Sequence, residues 1–308
     1  MTDEAVRTRQ GVIFALAAYT FWGIAPVYFK LVKQVPPFEI LAHRIVWAFV
    51  LVLILIIAMR RMDRILPIVR RPKLVIRLAI ATVLLGGNWF LFIWAINTDH
   101  LLDASLGYYI NPLLNVAIGM AFFGEKMRKL QLTAIALAVV GVGIQIITFG
   151  AIPWVALALA SSFATYGAIR KRLPVDSISG LWLETALLTP FMLTYLWFFA
   201  DSVATDMTAN SASLNLLLIA AGLVTTIPLL CFTAAAQRIR YSTLGFFQYI
   251  APSLMFILAV VAYGEPLAKS KLLTFVIIWS ALALYTFDSV LQRQRNKRQK
   301  QVVQEPLS

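Results

Sequence analysis

Apolar runs of about 20 residues recur from one end of this chain to the other, and that recurrence limits what it can fold into. Each run is long enough to cross a hydrocarbon core of about 30 Å as a helix. Ten spans are expected, near 11–31, 38–59, 74–97, 103–123, 129–148, 153–170, 178–200, 214–236, 243–262 and 270–292. The sixth is short and comparatively polar. Composition agrees, with 60% of the 308 residues hydrophobic and 13% charged, where soluble domains run at about 45–50% and about 25%. A lipid-embedded backbone must satisfy its own hydrogen bonds, so the expected class is an all-α polytopic membrane protein. The first run is longer than the apolar core of a signal peptide, about 7–15 residues, and no small-residue cleavage site follows it. It reads as a retained first helix.

The net charge of +13 is distributed in a way that argues against nucleic acid as a partner. With the N-terminus in the cytoplasm, the cytoplasmic segments hold Arg60 to Arg77, Lys126 to Lys129, Arg170 to Arg172, Arg238, Arg240 and the tail from Arg293 to Lys300. The opposite side keeps only Lys30, Lys33, Lys269 and Lys271. This is the positive-inside pattern, and it puts both termini in the cytoplasm of a bacterial inner membrane. The basic tail suits an anionic lipid surface. The only cysteine, Cys231, lies within the eighth span and has no internal disulfide partner.

The chain also repeats itself. A shift of 140 carries Pro112 onto Pro252, Tyr109 onto Tyr249, Ile110 onto Ile250 and Gly124-Glu125 onto Gly264-Glu265. Asn97 falls on Gln237 and Ala95 on Ala235. A period of half the chain describes two copies of one bundle, and an odd number of spans per copy inverts the second. The expected division is a tail at 1–10, five-helix repeats at 11–148 and 149–292, and a basic tail at 293–308.

Polar and helix-breaking residues recur at matched depths within the spans. Pro112 cannot donate to the carbonyl of Tyr108, so a kink is expected there and at its counterpart Pro252. Tyr108, Asn111 and Asn115 share one helical face. Gly86-Gly87-Asn88-Trp89 in the third span matches Thr225-Thr226-Ile227-Pro228 in the eighth. Interrupted helices in corresponding positions of two halves point to a transporter's midplane site. In the ninth span Gln248, Ala251 and Met255 replace Tyr108, Asn111 and Asn115, so the halves differ where a shared cavity would be lined.

Arg44, after His43, and Glu184 stand at equivalent positions, each about 9 Å inside its span. Charges in a bilayer face protein or water. Snorkelling and a structural hydrogen bond account for the two, and so does handling of substrate or protons; an ion pair between them is possible but not implied. Gly23 and Gly167, beside Trp22 and Tyr166, fit tight helix packing. The fifth and tenth spans carry few polar groups beyond Gln145 and Asp288, which suits the periphery or a second subunit. No ATP-binding loop, nucleophile elbow or Cys/His cluster is present, so no cofactor or metal is expected. Asp99 and Asp103 flank an outside turn, where Asp103 reads as a helix N-cap.

With the ten-helix duplicated plan in place, the sequence resembles the drug/metabolite transporter superfamily in its EamA-type branch. Within that branch it is similar to the RarD-type permeases. Phe21-Trp22-Gly23, His43-Arg44, Asp103 to Pro112, Thr148-Phe149-Gly150, Tyr166-Gly167 with Arg170-Lys171, Glu184-Thr185 and Gln248 to Pro252 carry the resemblance. Tyr109 stands where the family pattern has phenylalanine.

The resemblance implies a central cavity walled by spans 3, 4, 8 and 9 and gated by 1, 2, 6 and 7. It implies a permease that commonly exports amino acids, related metabolites or drug-like amphiphiles. Trp22, Asn88, Tyr108, Asn111, Asn115, Tyr166, Gln248 and Tyr249 are the expected solute contacts. His43, Arg44 and Glu184 are the expected charge or proton-coupling sites, and Pro112, Pro228 and Pro252 the expected kinks. Two other classes stand beside this reading. One is an intramembrane enzyme on a lipid-linked substrate using His43, Arg44 and Glu184, and the other is a non-transporting scaffold.

Overall fold

The computed structural model describes residues 3–98, 101–202, 206–264 and 269–304. The helices in chain order are α1 (Asp3–Leu31), α2 (Pro37–Ala58), the short α3 (Ile65–Val69) and α4 (Pro72–Asn97). They continue with α5 (Leu101–Phe123), α6 (Lys129–Phe149), α7 (Trp154–Arg172) and α8 (Ser177–Phe198). The last are α9 (Ala212–Ala236), α10 (Tyr241–Gln248), α11 (Ile250–Ile257), a π-helical turn at Leu258–Ala262, and α12 (Lys269–Gln304). Among the described residues there is no strand, and nine helical segments are long and apolar enough to cross a membrane. The chain is an all-α multi-pass membrane protein. The remaining long helix, α7, carries Ser161, Ser162, Thr165 and three terminal basic residues, and it packs against α4, α5 and α9.

Local chemistry sets several helix ends. Pro37 and Pro72 occupy the first turns of α2 and α4, where a missing N–H costs nothing. The Asp176 carboxylate accepts from Ser179 N at 3.2 Å and caps α8, and Ser211 Oγ accepts from Leu214 N to cap α9. Gly124 and Gly264, related by the 140-residue shift, both take the left-handed conformation, with φ of 62° and 64°. A side chain there would be strained, which is why glycine precedes glutamate at both places. α5 begins at Leu101, so Asp103 belongs to its first turn and is not its N-cap. Asp99, His100, Glu265 and the side chain of Asp103 lie outside the described residues. The basic stretch after residue 292 continues α12 to Gln304, and α1 begins as early as Asp3. Arginine, lysine and glutamine are good helix formers, and nothing in either stretch stops the helix.

The first-half helices pack mainly on second-half helices. α1 lies against α9 and α11, α2 against α8 and α9, α4 against α7 and α8, and α5 against α7 and α10. Exchanging the halves maps this set of pairings onto itself. The central core joins Tyr19, Tyr166, Phe232, Tyr241 and Leu244 from α1, α7, α9 and α10. α6 and α12 form a separate pair at the edge, where Ala138 packs with Ile278 and Ala281 and Gln145 Nε2 donates to Thr274 Oγ1 at 2.9 Å. The outer surface is greasy, with Trp197 84% and Ile147 81% exposed, as a lipid-facing belt requires.

The expected interruptions are realised unequally. α4, α5 and α9 run without a break through Gly86-Gly87, Pro112 and Pro228. Only the ninth span is split, at Tyr249 between α10 and α11. Pro252 has no N–H to give the Gln248 carbonyl, and Tyr249 N turns to Phe246 O at 3.3 Å. The π turn further along α11 loosens the same helix again.

Candidate functional site

Three of the carboxamides expected to face a solute are committed to joining helices. Asn111 is 3% exposed, and its Nδ2 donates to Ala160 O of α7 at 3.0 Å. Asn115 Nδ2 lies 3.1 Å from Asn111 Oδ1 and donates to Gln248 Oε1 of α10 at 2.8 Å. Asn88 Nδ2 donates to Leu159 O and Ser162 Oγ of α7, at 2.8 and 2.9 Å. Tyr249 Oη donates to Tyr109 O at 3.2 Å. These bonds tie α4, α5, α7 and α10 together where water is scarce and an unpaired amide is costly. The unwound turn of the ninth span puts Gln248 against Asn115. Its use is therefore to bridge the two halves.

Trp22 and Tyr166 belong to an aromatic block. Trp22 lies 5.8 Å from both Phe163 and Phe232, ring centre to ring centre, and the fully buried Tyr166 stacks on Phe232. The glycines beside them mark close approaches. A Cβ on Gly23 would stand 2.7 Å from Leu254 Cβ, and one on Gly167 2.4 Å from Tyr241 Oη.

Arg44 and Glu184 do not pair with each other. Glu184 is bound to Arg170, with Nε and Oε1 3.2 Å apart and both side chains excluded from solvent at 0% and 1%. Tyr166 Oη donates to Glu184 Oε2 at 3.2 Å. A Cβ on Gly180 would come 2.2 Å from both terminal guanidinium nitrogens of Arg170, so that edge of the guanidinium abuts the glycine. Arg170 is thus not, as the sequence suggests, a solvated cytoplasmic charge grouped with Lys171 and Arg172, but a buried partner of Glu184. A run of three basic residues hides which of them turns inward. The available signal was the helical spacing of Tyr166 and Arg170, four apart, opposite a buried acid in need of a partner. His43 is also buried, and its Nε2 has no hydrogen-bond partner among the described residues. No hydrogen bond or ion pair joins His43, Arg44 and Glu184 among the described residues, so they do not form a set.

Arg44 sits seven residues into α2, about 10 Å from the helix start. Its Nε donates to Thr225 Oγ1 of α9 at 2.9 Å, and Thr225 donates in turn to Ala221 O. The guanidinium carbon is 5.5 Å from the Phe29 ring centre and 5.4 Å from that of Trp89. Tyr28 and Tyr108 lie within electrostatic range. Arg44 is half-buried, and Tyr108 is 37% exposed. With Phe29, Trp89 and Thr225 these side chains form a partly accessible cleft around the Arg44 guanidinium. Five helices converge on it: α1, α2, α4, α5 and α9. Phe29 and Thr225 were not among the expected contacts, and Trp89 appeared only as the neighbour of Asn88.

At the end of the bundle that carries the start of α1 and the end of α12, hydrogen bonds clasp the helix ends together. Glu125 takes Tyr241 N at 2.6 Å, and Ser242 N and Oγ at 2.9 and 2.5 Å, which caps α10 with a carboxylate. Negative charge there is favoured by the helix dipole. Lys171 Nζ donates to Ala236 O and Ile239 O at the end of α9, and Arg172 donates to Phe122 O at the end of α5. Arg7 reaches Gln237 O, and Arg240 reaches Lys126 O. A further cleft of about 790 Å³ is lined by the end of α8 together with Asp201, Ser202 and Asp206. It is far along α8 from Glu184 and holds none of these groups.

Comparison with known proteins adds identity to this geometry. Residues 9–147 match the EamA-like transporter family. An uncharacterized transporter of Vibrio cholerae is 53% identical over 94% of this chain and 96% of its own length. Protein RarD of Escherichia coli is 52% identical over 96% of this chain and 100% of its own length. A Pseudomonas aeruginosa relative named chloramphenicol-sensitive protein RarD is 30% identical over 94% of this chain and 98% of its own. A crystal structure at 22% identity superposes with a TM-score of 0.71, covering 90% of this chain and 97% of that one, and so shares the fold. At these identities and coverages, the chain with the Arg44 cleft and the Glu125 clasp belongs to the RarD family of EamA-type membrane transporters.

Proposed function

We propose that this transporter moves small amphiphilic metabolites, with amino acids and drug-like compounds within its range, across the bacterial inner membrane by alternating access. The two halves, 11–148 and 149–292, act as inverted repeats, and the matched pairings of their helices support that reading. The basic loops support a cytoplasmic setting for the clasped end, and its ties keep the bundle closed to that side in this reading. Opening it requires release of the Glu125 carboxylate from α10 and of Lys171 from α9. The split at Tyr249 supplies a hinge, since an unwound turn absorbs backbone rotation at small cost. Arg44, Trp89 and Tyr108 meet the solute. Asn88, Asn111, Asn115, Gln248 and Tyr249 hold the frame around it, and the Arg170–Glu184 pair locks α7 to α8. The observation that carries the proposal is a partly accessible arginine, seven residues into α2 and flanked by aromatic rings, between interleaved halves tied together at one end.

The test is counterflow in sealed proteoliposomes with a panel of labelled amino acids and aromatic metabolites. Saturable accumulation of at least one compound by wild-type protein, lost in Arg44→Gln, is the expected result. Absence of accumulation across the panel from folded protein, with product formation or no flux at all, overturns it.

A further inference from the structure

We infer that the Arg44 cleft binds the carboxylate of a small organic monoanion whose apolar or aromatic body lies against Phe29 and Trp89. This rests on the transport reading above and narrows its substrate class. The charge inventory of the membrane region carries the inference. Among the described residues every carboxylate there is engaged: Glu184 with Arg170, Glu125 with the start of α10, Asp288 with Arg128, and Glu39 with Ser202. Arg170 is consumed by Glu184, and Lys171 by the end of α9. Arg44 has no carboxylate partner among the described residues. Isolated charge inside a membrane protein is costly and marks a functional site.

The geometry specifies the ligand further. Thr225 holds Nε, and the two terminal NH2 groups of Arg44 have no protein hydrogen-bond partner among the described residues. That end of a guanidinium accepts a carboxylate in a bidentate fork. The Phe29 and Trp89 rings flank the cation at 5.5 and 5.4 Å, and Tyr108 keeps a third of its surface open beside it. An apolar body therefore finds aromatic walls next to the charge. Among the described residues these walls offer an ammonium no uncompensated carboxylate, so a monoanion is favoured over a cation.

The experiment uses purified protein in phosphatidylcholine nanodiscs and isothermal titration with 3-phenylpropanoate, its neutral amide 3-phenylpropanamide, and 2-phenylethylammonium. Empty nanodiscs correct for partition into lipid. The expected result is saturable binding of the carboxylate, at least about tenfold tighter than the amide, with no binding of the ammonium. Arg44→Gln should remove the preference for carboxylate. Arg44→Lys, which keeps the charge and loses the fork, should weaken carboxylate binding about tenfold. Thermal melting of each variant confirms that it is folded. Equal binding of acid and amide overturns the inference, as does a preference that survives Arg44→Gln, or no binding of 3-phenylpropanoate up to millimolar concentration. Counterflow of the same probes separates the two readings. Flux that ignores the carboxylate removes the inference and leaves transport, while carboxylate binding at Arg44 without flux removes transport and leaves the site.

Discussion

Neutralising one member of the Arg170–Glu184 pair should be among the most damaging single changes in this protein. The two charges are 3.2 Å apart with side-chain exposures of 0% and 1%. At an effective dielectric of about 20, their attraction is about 5 kcal/mol. The cost of burying both ions offsets much of that, so the pair adds little net stability over a well-packed apolar pair. Removing one partner is different, because the other charge stays buried and uncompensated, at about 3–5 kcal/mol. Glu184→Gln keeps the shape and an acceptor for Tyr166 Oη, so it isolates the charge. Arg170→Met is the reciprocal change. With about 2–4 °C per kcal/mol for a chain somewhat smaller than this, each single variant should melt roughly 5–15 °C below wild type in detergent. The double variant Arg170→Met/Glu184→Leu should recover most of the loss and fall within about 5 °C of wild type. A single variant that melts with wild type, or a double variant whose loss equals the sum of the singles, would refute the reasoning.

Other consequences follow from the same geometry. Gly180→Ala places a Cβ where the Arg170 guanidinium lies, and should cost about 1–3 kcal/mol of overpacking in the same melting assay. Glu125→Gln replaces a carboxylate that accepts three bonds at the start of α10. It should cost about 1–2 kcal/mol and raise labelling, from the clasped side, of a cysteine introduced at Tyr108. Asn115→Leu leaves Gln248 Oε1 without its donor. It should lower stability by about 1–3 kcal/mol while leaving the dissociation constant of any bound solute within about twofold of wild type, as read by titration.

Much of the architecture was legible because lipid imposes few solutions. Runs of about 20 apolar residues, a 140-residue shift and the asymmetry of basic loops led to an all-α multi-pass protein. The Gly-Glu pairs were legible as a repeat, and the backbone requirement at Gly124 and Gly264 explains the glycine. The polar face of α5 was legible as a face, but not its use. Helical spacing says that Asn111 and Asn115 point the same way, not that α7 and α10 will meet them there. Charge was the least legible. Arg170 looked like its neighbours Lys171 and Arg172, and only the fold turns it inward to Glu184. Arg44 stood out by depth alone, but its aromatic and hydroxyl partners come from α1, α4 and α9, distant in sequence. Proline gave mixed guidance, since α1, α5, α8 and α9 carry Pro26, Pro112, Pro190 and Pro228 without a break and only Pro252 lies beside one.

The central claim is that access to the Arg44 cleft alternates between the two faces of the membrane. Its most direct test places a single cysteine at Tyr108 in a Cys231→Ser background and adds a membrane-impermeant maleimide to either face of oriented proteoliposomes. The account predicts labelling from the face opposite the chain termini, with labelling from the termini side appearing when Glu125→Gln releases the clasp. Equal labelling from both faces in the parent protein, as in an open pore, or labelling confined to the termini side, would contradict it.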